Sequence, residues 1–226
     1  ESYTSNDIRK ACVMAFESIA SHVNTLRQDY EGTRQFEPMM LNNVIKDKSI
    51  YLTKIDENGG KGDSQNSCIN PDYRLNLLEE DWYIFNDNYG TSEEKLFIKY
   101  FKTNIQPKLD EKQLEYYVIR NERIPELAIY SFEHGERFEP DFLLFVCKNN
   151  NDSLTTHQVY VEPKGSNLLL EDKWKEEFMQ QLIEDATTNP LFDYGNNYKI
   201  IGMPFYNEEY KKEEFEQSIN EWLEKL

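Results

Sequence analysis

The sequence predicts an α/β protein, a mixed central sheet flanked by helices. Three observations carry that reading. Apolar residues recur at helical spacing in 5–31, 91–105, 169–187 and 208–226. Strand-like runs of apolar, β-branched and aromatic residues occupy 116–122, 127–132, 137–147, 157–165 and 197–205. The two kinds of run succeed one another as helix, strands, helix, strand, helix, an order that wraps helices around a sheet.

In chain order, Ile8, Cys12, Ala15, Phe16, Ile19 and Val23 form one face of the first helix, and Ser5 or Asn6 could cap it. SIYLTKI (49–55) alternates like a strand, and DENGGKGDSQNSCINP (56–71) reads as a long flexible loop. Its Gly-Lys pair lacks the GxxxxGK[ST] spacing, which excludes a P-loop. TSEEKLFIKYFKTNI (91–105) begins at a Thr91–Ser92 cap, and the acids that follow suit a positive helix start. Leu96, Phe97, Tyr100 and Phe101 give this helix its apolar face. KNNNDSLTT (148–156) reads as a hairpin loop between two strands. Trp174, Phe178, Leu182 and Ile183 mark the 169–187 helix, and EEYKKEEFEQSINEWLEKL (208–226) closes the chain as an amphipathic helix. The expected division is an accessory or connector region over 1–90 and a catalytic unit over 91–226.

Composition narrows the function classes. With 38% hydrophobic residues, 15 Tyr and 13 Phe in 226 residues, the chain can build a core, which excludes global disorder. No apolar run is long enough to span a bilayer and no signal-peptide pattern is present, so no membrane partner is expected. Cys12, Cys68 and Cys147 are far apart, which argues against a zinc site or a disulfide framework and for a reducing, cytoplasmic compartment. The opening residue is Glu1 rather than Met, as in a fragment of a longer protein. A net charge of −17 opposes a polyanion, so weak intrinsic DNA affinity is expected, with the grip supplied by another domain or subunit.

The chemistry-bearing residues are Asp141, Glu162 and Lys164. Side chains alternate along a strand, so Gln158, Tyr160, Glu162 and Lys164 share one face. If RFEPDFLLFVC and HQVYVEPKG pair antiparallel, Asp141 and Glu162 meet at one edge of the sheet. Two carboxylates, with a backbone carbonyl from Pro163, make a hard oxygen site suited to Mg²⁺ or its substitute Mn²⁺. A cation there would activate water for phosphodiester hydrolysis, and an adjacent lysine would orient that water or stabilise developing charge. As a bare pattern, PD followed by an acid, any residue and Lys recurs by chance in acid-rich chains. Its bland reading is a strand cap at Asp141 and a surface ion pair at Glu162–Lys164.

The runs FEPDFLLF (138–145), VYVEPKG (159–165) and DKWKEEF (172–178) resemble the C-terminal nuclease domain of the restriction subunit of type III restriction enzymes. In that family a helicase motor is joined to a PD-(D/E)XK endonuclease. The resemblance covers roughly 90–205 and implies a restriction-endonuclease-like fold, with Asp141 and Glu162 as metal-binding acids and Lys164 as catalytic lysine. It also implies a further acid on the preceding helix, Glu94 or alternatively Glu93. The bland reading of Glu94 is a helix-start charge favoured by the dipole. Implied partners are double-stranded DNA, an ATPase motor and a modification methyltransferase subunit. No Walker A or DExx motif occurs here, so the motor is expected outside this chain.

Lys173 and Lys175 are possible phosphate contacts, with Trp174 read as packed inward. Arg120, Arg123 and Arg137 are read as surface ion-pairing residues, and His157 as exposed. Two functions compete. One is a Mg²⁺-dependent DNA endonuclease domain. The other is a non-catalytic acidic adaptor keeping a relic of the nuclease fold. Activity on RNA or branched DNA would use the same chemistry.

Overall fold

The computed structural model describes residues 4–23, 31–37, 39–53, 61–150, 153–185, 187–188 and 197–226. Besides a single helical turn at Leu41–Val44, the helices among the described residues are α1 (Ser5–Val23), α2 (Ser92–Tyr100), α3 (Gln106–Glu111), α4 (Lys173–Asp185) and α5 (Lys212–Glu224). The long strands are β1 (Glu115–Arg120), β2 (Phe142–Asn150), β3 (Ser153–Val161) and β4 (Asn197–Gly202). They form one sheet in the order β1-β2-β3-β4, with the first two pairings antiparallel and the last parallel. The expected mixed sheet flanked by helices is therefore present.

Each face of the sheet carries its own core. Val118, Phe142, Leu144, Val159 and Val161 pack against Phe97 and Phe101 after α2 begins, and against Phe215 and Trp222 of α5. Ile119, Leu143, Phe145 and Tyr160 face the opposite way and meet Phe178, Met179 and Leu182 of α4. Each fully buried aromatic or aliphatic side chain here contributes roughly 1.5–3 kcal/mol. Leu77, Trp82 and Tyr83, from the stretch read as connector, belong to the first core, and Tyr83 bridges to Val118 at the edge of β1.

Several boundaries differ from expectation. The 91–105 helix extends further: a π-helical turn over Phe101–Ile105 leads directly into α3, and Pro107, which has no N–H to continue the ladder, lies just after that turn. The 137–147 run is two strands, because Arg137–Phe138 pairs with Ile129–Tyr130 and the chain bends before β2. The expected 148–156 loop is mostly strand, since β2 and β3 continue in register to Asn150↔Ser153. Residues 49–53 form no strand, and Lys54 and Ile55 lie outside the described residues, as do 24–30 of the first predicted helix. Thr4 caps α1 in place of Ser5 or Asn6: its hydroxyl accepts from the Asp7 amide at 3.3 Å, and its own amide donates back to Asp7 at 3.0 Å. His157 is buried, not exposed. It accepts a hydrogen bond from the Trp222 indole at 3.1 Å, and burial, then Lys199 and Lys148, bring its pKa down to about 4.

Gly202 is where β4 touches α4. A Cβ there would stand 2.2 Å from the Met179 carbonyl oxygen. Gly202→Ala should therefore push helix and sheet apart and cost about 1–3 kcal/mol, read as a lower chemical-denaturation midpoint at unchanged slope.

Candidate active site

Two prolines end two paired strands at the same rim of the sheet. Pro140 precedes the bend that opens β2, and Pro163 follows the end of β3; neither has an N–H to extend a ladder. The last rung of the β2–β3 ladder is Phe142↔Val161, so Asp141 and Glu162 follow it side by side. The Asp141 amide donates to Glu162 Oε2 at 2.9 Å, and the Asp141 carbonyl accepts from the Asn121 amide at 2.7 Å. The Glu-Pro-Lys segment is pinned on its far side by Tyr206. Tyr206 donates its amide to the Glu162 carbonyl at 3.1 Å, and its carbonyl accepts from the Lys164 amide at 2.8 Å.

Lys164 is buried between two acids. Its Nζ lies 2.7 Å from Glu162 Oε1 and 2.7 Å from Asp172 Oδ2. Burial disfavours its ammonium, but Glu162 and Asp172 more than offset that, so its pKa stands above the ordinary value. Asp172 faces some burial too, yet its bonds to Lys164 and Lys175 hold its carboxyl below the usual range. Burial raises the Glu162 pKa, against the opposing pull of Lys164 and the Asp141 amide. Asp141 is raised furthest: burial acts first, then the nearby charges of Glu162 and Glu94, only partly countered by Arg120 and Lys164. Carboxylates crowded in this way are the electrostatic signature of a cation or proton site.

Of the two helix acids, Glu94 acts on Asp141. It is buried in the first turn of α2, where it completes a capping box: the Thr91 amide donates to Glu94 Oε1 at 3.4 Å and the Glu94 amide to the Thr91 hydroxyl at 3.4 Å, and that hydroxyl also donates to Glu94 Oε1 at 3.1 Å. Its Oε2 pairs with Arg120. Glu93 points elsewhere and accepts from the Glu208 amide at 3.2 Å. Arg120, expected at the surface, is buried beside the acids. Arg123 is exposed, and Arg137 pairs with Glu139 as a surface residue would. Lys173 pairs with Glu177 at 2.6 Å and Lys175 with Asp172 at 2.8 Å, while Trp174 is half-buried against Phe138.

Sequence reasoning missed Asp172 and Asn207. Asp172 lay within the quoted DKWKEEF run, eight residues after Lys164, but no periodicity links a strand end to the turn before a helix. Asn207 is fully buried, and its amide donates to the Lys164 carbonyl at 2.8 Å, which fixes the lysine's backbone. A lone Asn after an apolar run looks like any loop residue, so nothing in the sequence marks it.

The donors present suit a hard divalent cation. Asp141 and Glu162 supply carboxylate oxygens, and no hydrogen bond between described residues uses the Pro163 carbonyl. The raised Asp141 carboxyl is a charge that a cation would stabilise. A cavity of about 1020 Å³ lies elsewhere, lined by Met39, Leu41, Val44, Tyr117, Phe145 and Ile200 among others, and includes none of these acids. That space is separate from the charged rim.

Residues 32–223 match the family HI_1054_C, described as a C-terminal domain. The chain belongs to this family. The HI_1054_C match crosses position 90 without a break, consistent with the shared core on either side of it. An uncharacterized protein of Haemophilus influenzae is 27% identical over 223 residues, covering 94% of this chain and 44% of that protein. The chain thus spans less than half the length of that relative. No solved structure matches it.

Proposed function

We propose that this chain is a metal-dependent nuclease domain of the PD-(D/E)XK type that cuts double-stranded DNA internally. The observation that carries the reading is the meeting of Asp141, Glu162 and Lys164 at one rim, joined by the 2.9 Å and 2.7 Å contacts through Glu162. The four-stranded mixed sheet with helices on both faces fits a restriction-endonuclease-like core. In this reading Asp141, Glu162 and the Pro163 carbonyl would hold Mg²⁺, with Mn²⁺ as substitute. The ion would supply Lewis acidity at the phosphate and a more acidic water. Lys164, fixed by Glu162, Asp172 and the Asn207 bond to its carbonyl, presents a cation beside the phosphate and orients the attacking water. An ATPase motor and a methyltransferase, as in type III restriction systems, are the proposed partners, and the bacterial cytoplasm the proposed compartment.

A second reading has one observation in its favour. Among the described residues, no three His, Cys, Asp or Glu side chains form a group that could hold a metal ion, and Glu94 and Glu162 are paired with Arg120 and Lys164. An acidic adaptor with a relic nuclease fold would look like this.

The deciding experiment is plasmid cleavage by the full natural protein. Nicking or linearisation in Mg²⁺ that stops with EDTA supports the nuclease. Intact plasmid in both Mg²⁺ and Mn²⁺, with motor activity retained, favours the adaptor. The isolated chain, at a charge of −17, should bind duplex DNA no tighter than the non-specific range of roughly 10⁻⁴–10⁻⁶ M at physiological salt. Nanomolar, salt-resistant binding in a fluorescence anisotropy titration would contradict that division of labour.

A further inference from the structure

Arg120 ends β1, and its side chain is buried. A buried guanidinium persists only where its charge and its fork are both matched. Here it pairs with Glu94 and donates to Asn88 Oδ1 at 3.1 Å and to the Tyr89 carbonyl at 3.0 Å. Its Nε lies 3.3 Å from Glu122 Oε1, an ion-pair contact without a hydrogen bond, so the charge is matched more fully than the fork. Its plane sits 4.3 Å from the Tyr89 ring centre and 5.5 Å from that of Phe142. The Tyr89 hydroxyl donates to Glu122, and Lys48 reaches Glu122 at 3.2 Å. Asn88 is itself fixed: it accepts from the Tyr83 hydroxyl at 3.1 Å and donates to Gln65 at 2.7 Å. Gln65 in turn donates to the Lys95 carbonyl on α2 at 2.9 Å.

Two glycines bring backbone against the same spot. Gly90 has a φ of 99°, and a Cβ on it would lie 2.1 Å from Glu94 Oε2 and 2.9 Å from Arg120 Nη2. Gly62, at a φ of 101°, packs so closely on Gly90 that its Cβ would stand 2.6 Å from the Gly90 nitrogen. The chain before α2 therefore walls in the Glu94–Arg120 pair. Glu94 Oε1 accepts from the Thr91 hydroxyl, whereas Oε2, buried and ion-paired with Arg120, has no hydrogen-bond partner among the described residues.

We propose that Arg120 is a positioning residue of the acidic site: residues 48 and 62–90 fix its side chain, and it fixes Glu94 beside the strand end that carries Asp141, where Arg120 pairs in register with Phe142 and the neighbouring Asn121 amide holds the Asp141 carbonyl at 2.7 Å. The proposal rests on the nuclease reading and assigns Glu94 an outer role, as an oriented acceptor one water away from the cation. It also gives the segment before residue 90 a part in the site, where the sequence suggested only a connector.

The test is a double-mutant cycle read by Mn²⁺ calorimetry, with a thermal unfolding curve for each protein. Arg120→Lys keeps the charge and loses the fork. Arg120→Lys and Glu94→Gln should each weaken Mn²⁺ binding about tenfold, as loss of an outer partner does. The double variant should be no weaker than either single one, because both act through one carboxylate. Additive losses, or unchanged affinity in a folded Arg120→Lys protein, would overturn the proposal. If Arg120→Lys does not fold, Glu122→Gln takes its place, since it loosens Arg120 without touching Glu94; it should weaken Mn²⁺ several-fold, and unchanged affinity would overturn the proposal equally. A wild-type protein that binds no divalent cation in the presence of DNA ends the nuclease reading itself, and this proposal with it.

Discussion

Under the proposed nuclease reading, Glu162→Gln should abolish phosphodiester cleavage, with a loss of about 10³-fold or more, while the protein stays folded. Gln keeps an oxygen to accept from the Asp141 amide, so the local geometry survives, but the charge that would hold a cation is gone. Lys164→Ala gives a similar loss of rate for a different reason: it removes the cation beside Glu162 and Asp172. The two variants separate in stability. A substitution at a strand end ordinarily leaves little cavity and costs little, but Lys164 is buried between two acids. Its removal leaves Glu162 buried without its partner, which costs about 3 kcal/mol. Denaturant midpoints should therefore fall clearly for Lys164→Ala and little for Glu162→Gln. Kinetics should be measured in the full natural protein, in Mg²⁺. Wild-type cleavage by Glu162→Gln would remove the catalytic assignment and leave the adaptor reading in its place.

How much of this was legible in the sequence follows from which forces act locally. Asp141, Glu162 and Lys164 were readable because strand alternation and two prolines act within a few residues of the acids they place. The antiparallel pairing needed only a nearby hairpin, and the register Phe142↔Val161 brought the two acids together as alternation implied. The hairpin loop itself was misjudged, since Asn, Asp and Ser in KNNNDSLTT suggest a turn but the ladder runs through most of them. Arg120 and His157 were misread for a shared reason. A charged or polar side chain is assigned to the surface by default, and only tertiary partners reverse that. Glu94 and Glu122 do so for Arg120, and Trp222 for His157, 65 residues later in the chain. Gly62 lies in the run read as a long flexible loop, and nothing in the sequence marks Gly90. Their close mutual approach is a contact between separate stretches of chain, and no spacing rule predicts it.

Asp141→Asn should make the metal-free protein more stable at neutral pH while destroying its response to metal. The Asp141 carboxyl is raised well above its usual value by burial, then by Glu162 and Glu94. For an acid whose folded pKa is raised, the folded state binds the proton more tightly than the unfolded one. Stability is then fullest below the unfolded value of 3.8 and is lost as pH rises through the folded pKa. Above the unfolded value the metal-free wild type carries a penalty that grows with pH until the folded carboxyl ionises, and Asn, neutral and nearly isosteric, carries none. His157 acts in the opposite sense: with its pKa brought down to about 4 from 6.5, its contribution is present above 6.5 and lost as pH falls towards 4. Both proteins keep His157, so its effect cancels in their difference. The expected result, by thermal unfolding in EDTA, is a higher Tm for Asp141→Asn at pH 7.5, at about 2–4 °C for each kcal/mol relieved. The gap should narrow as pH falls through the raised folded pKa of Asp141, where the wild type takes up its proton, and close below the unfolded value of 3.8. Adding Mn²⁺ should raise the wild-type Tm, because the ion binds the folded state alone, and leave the variant where it was. A variant less stable than wild type in EDTA at pH 7.5 would mean that Asp141 is a structural anion satisfied by Arg120 and Lys164, and the crowded-carboxylate account of this site would fall.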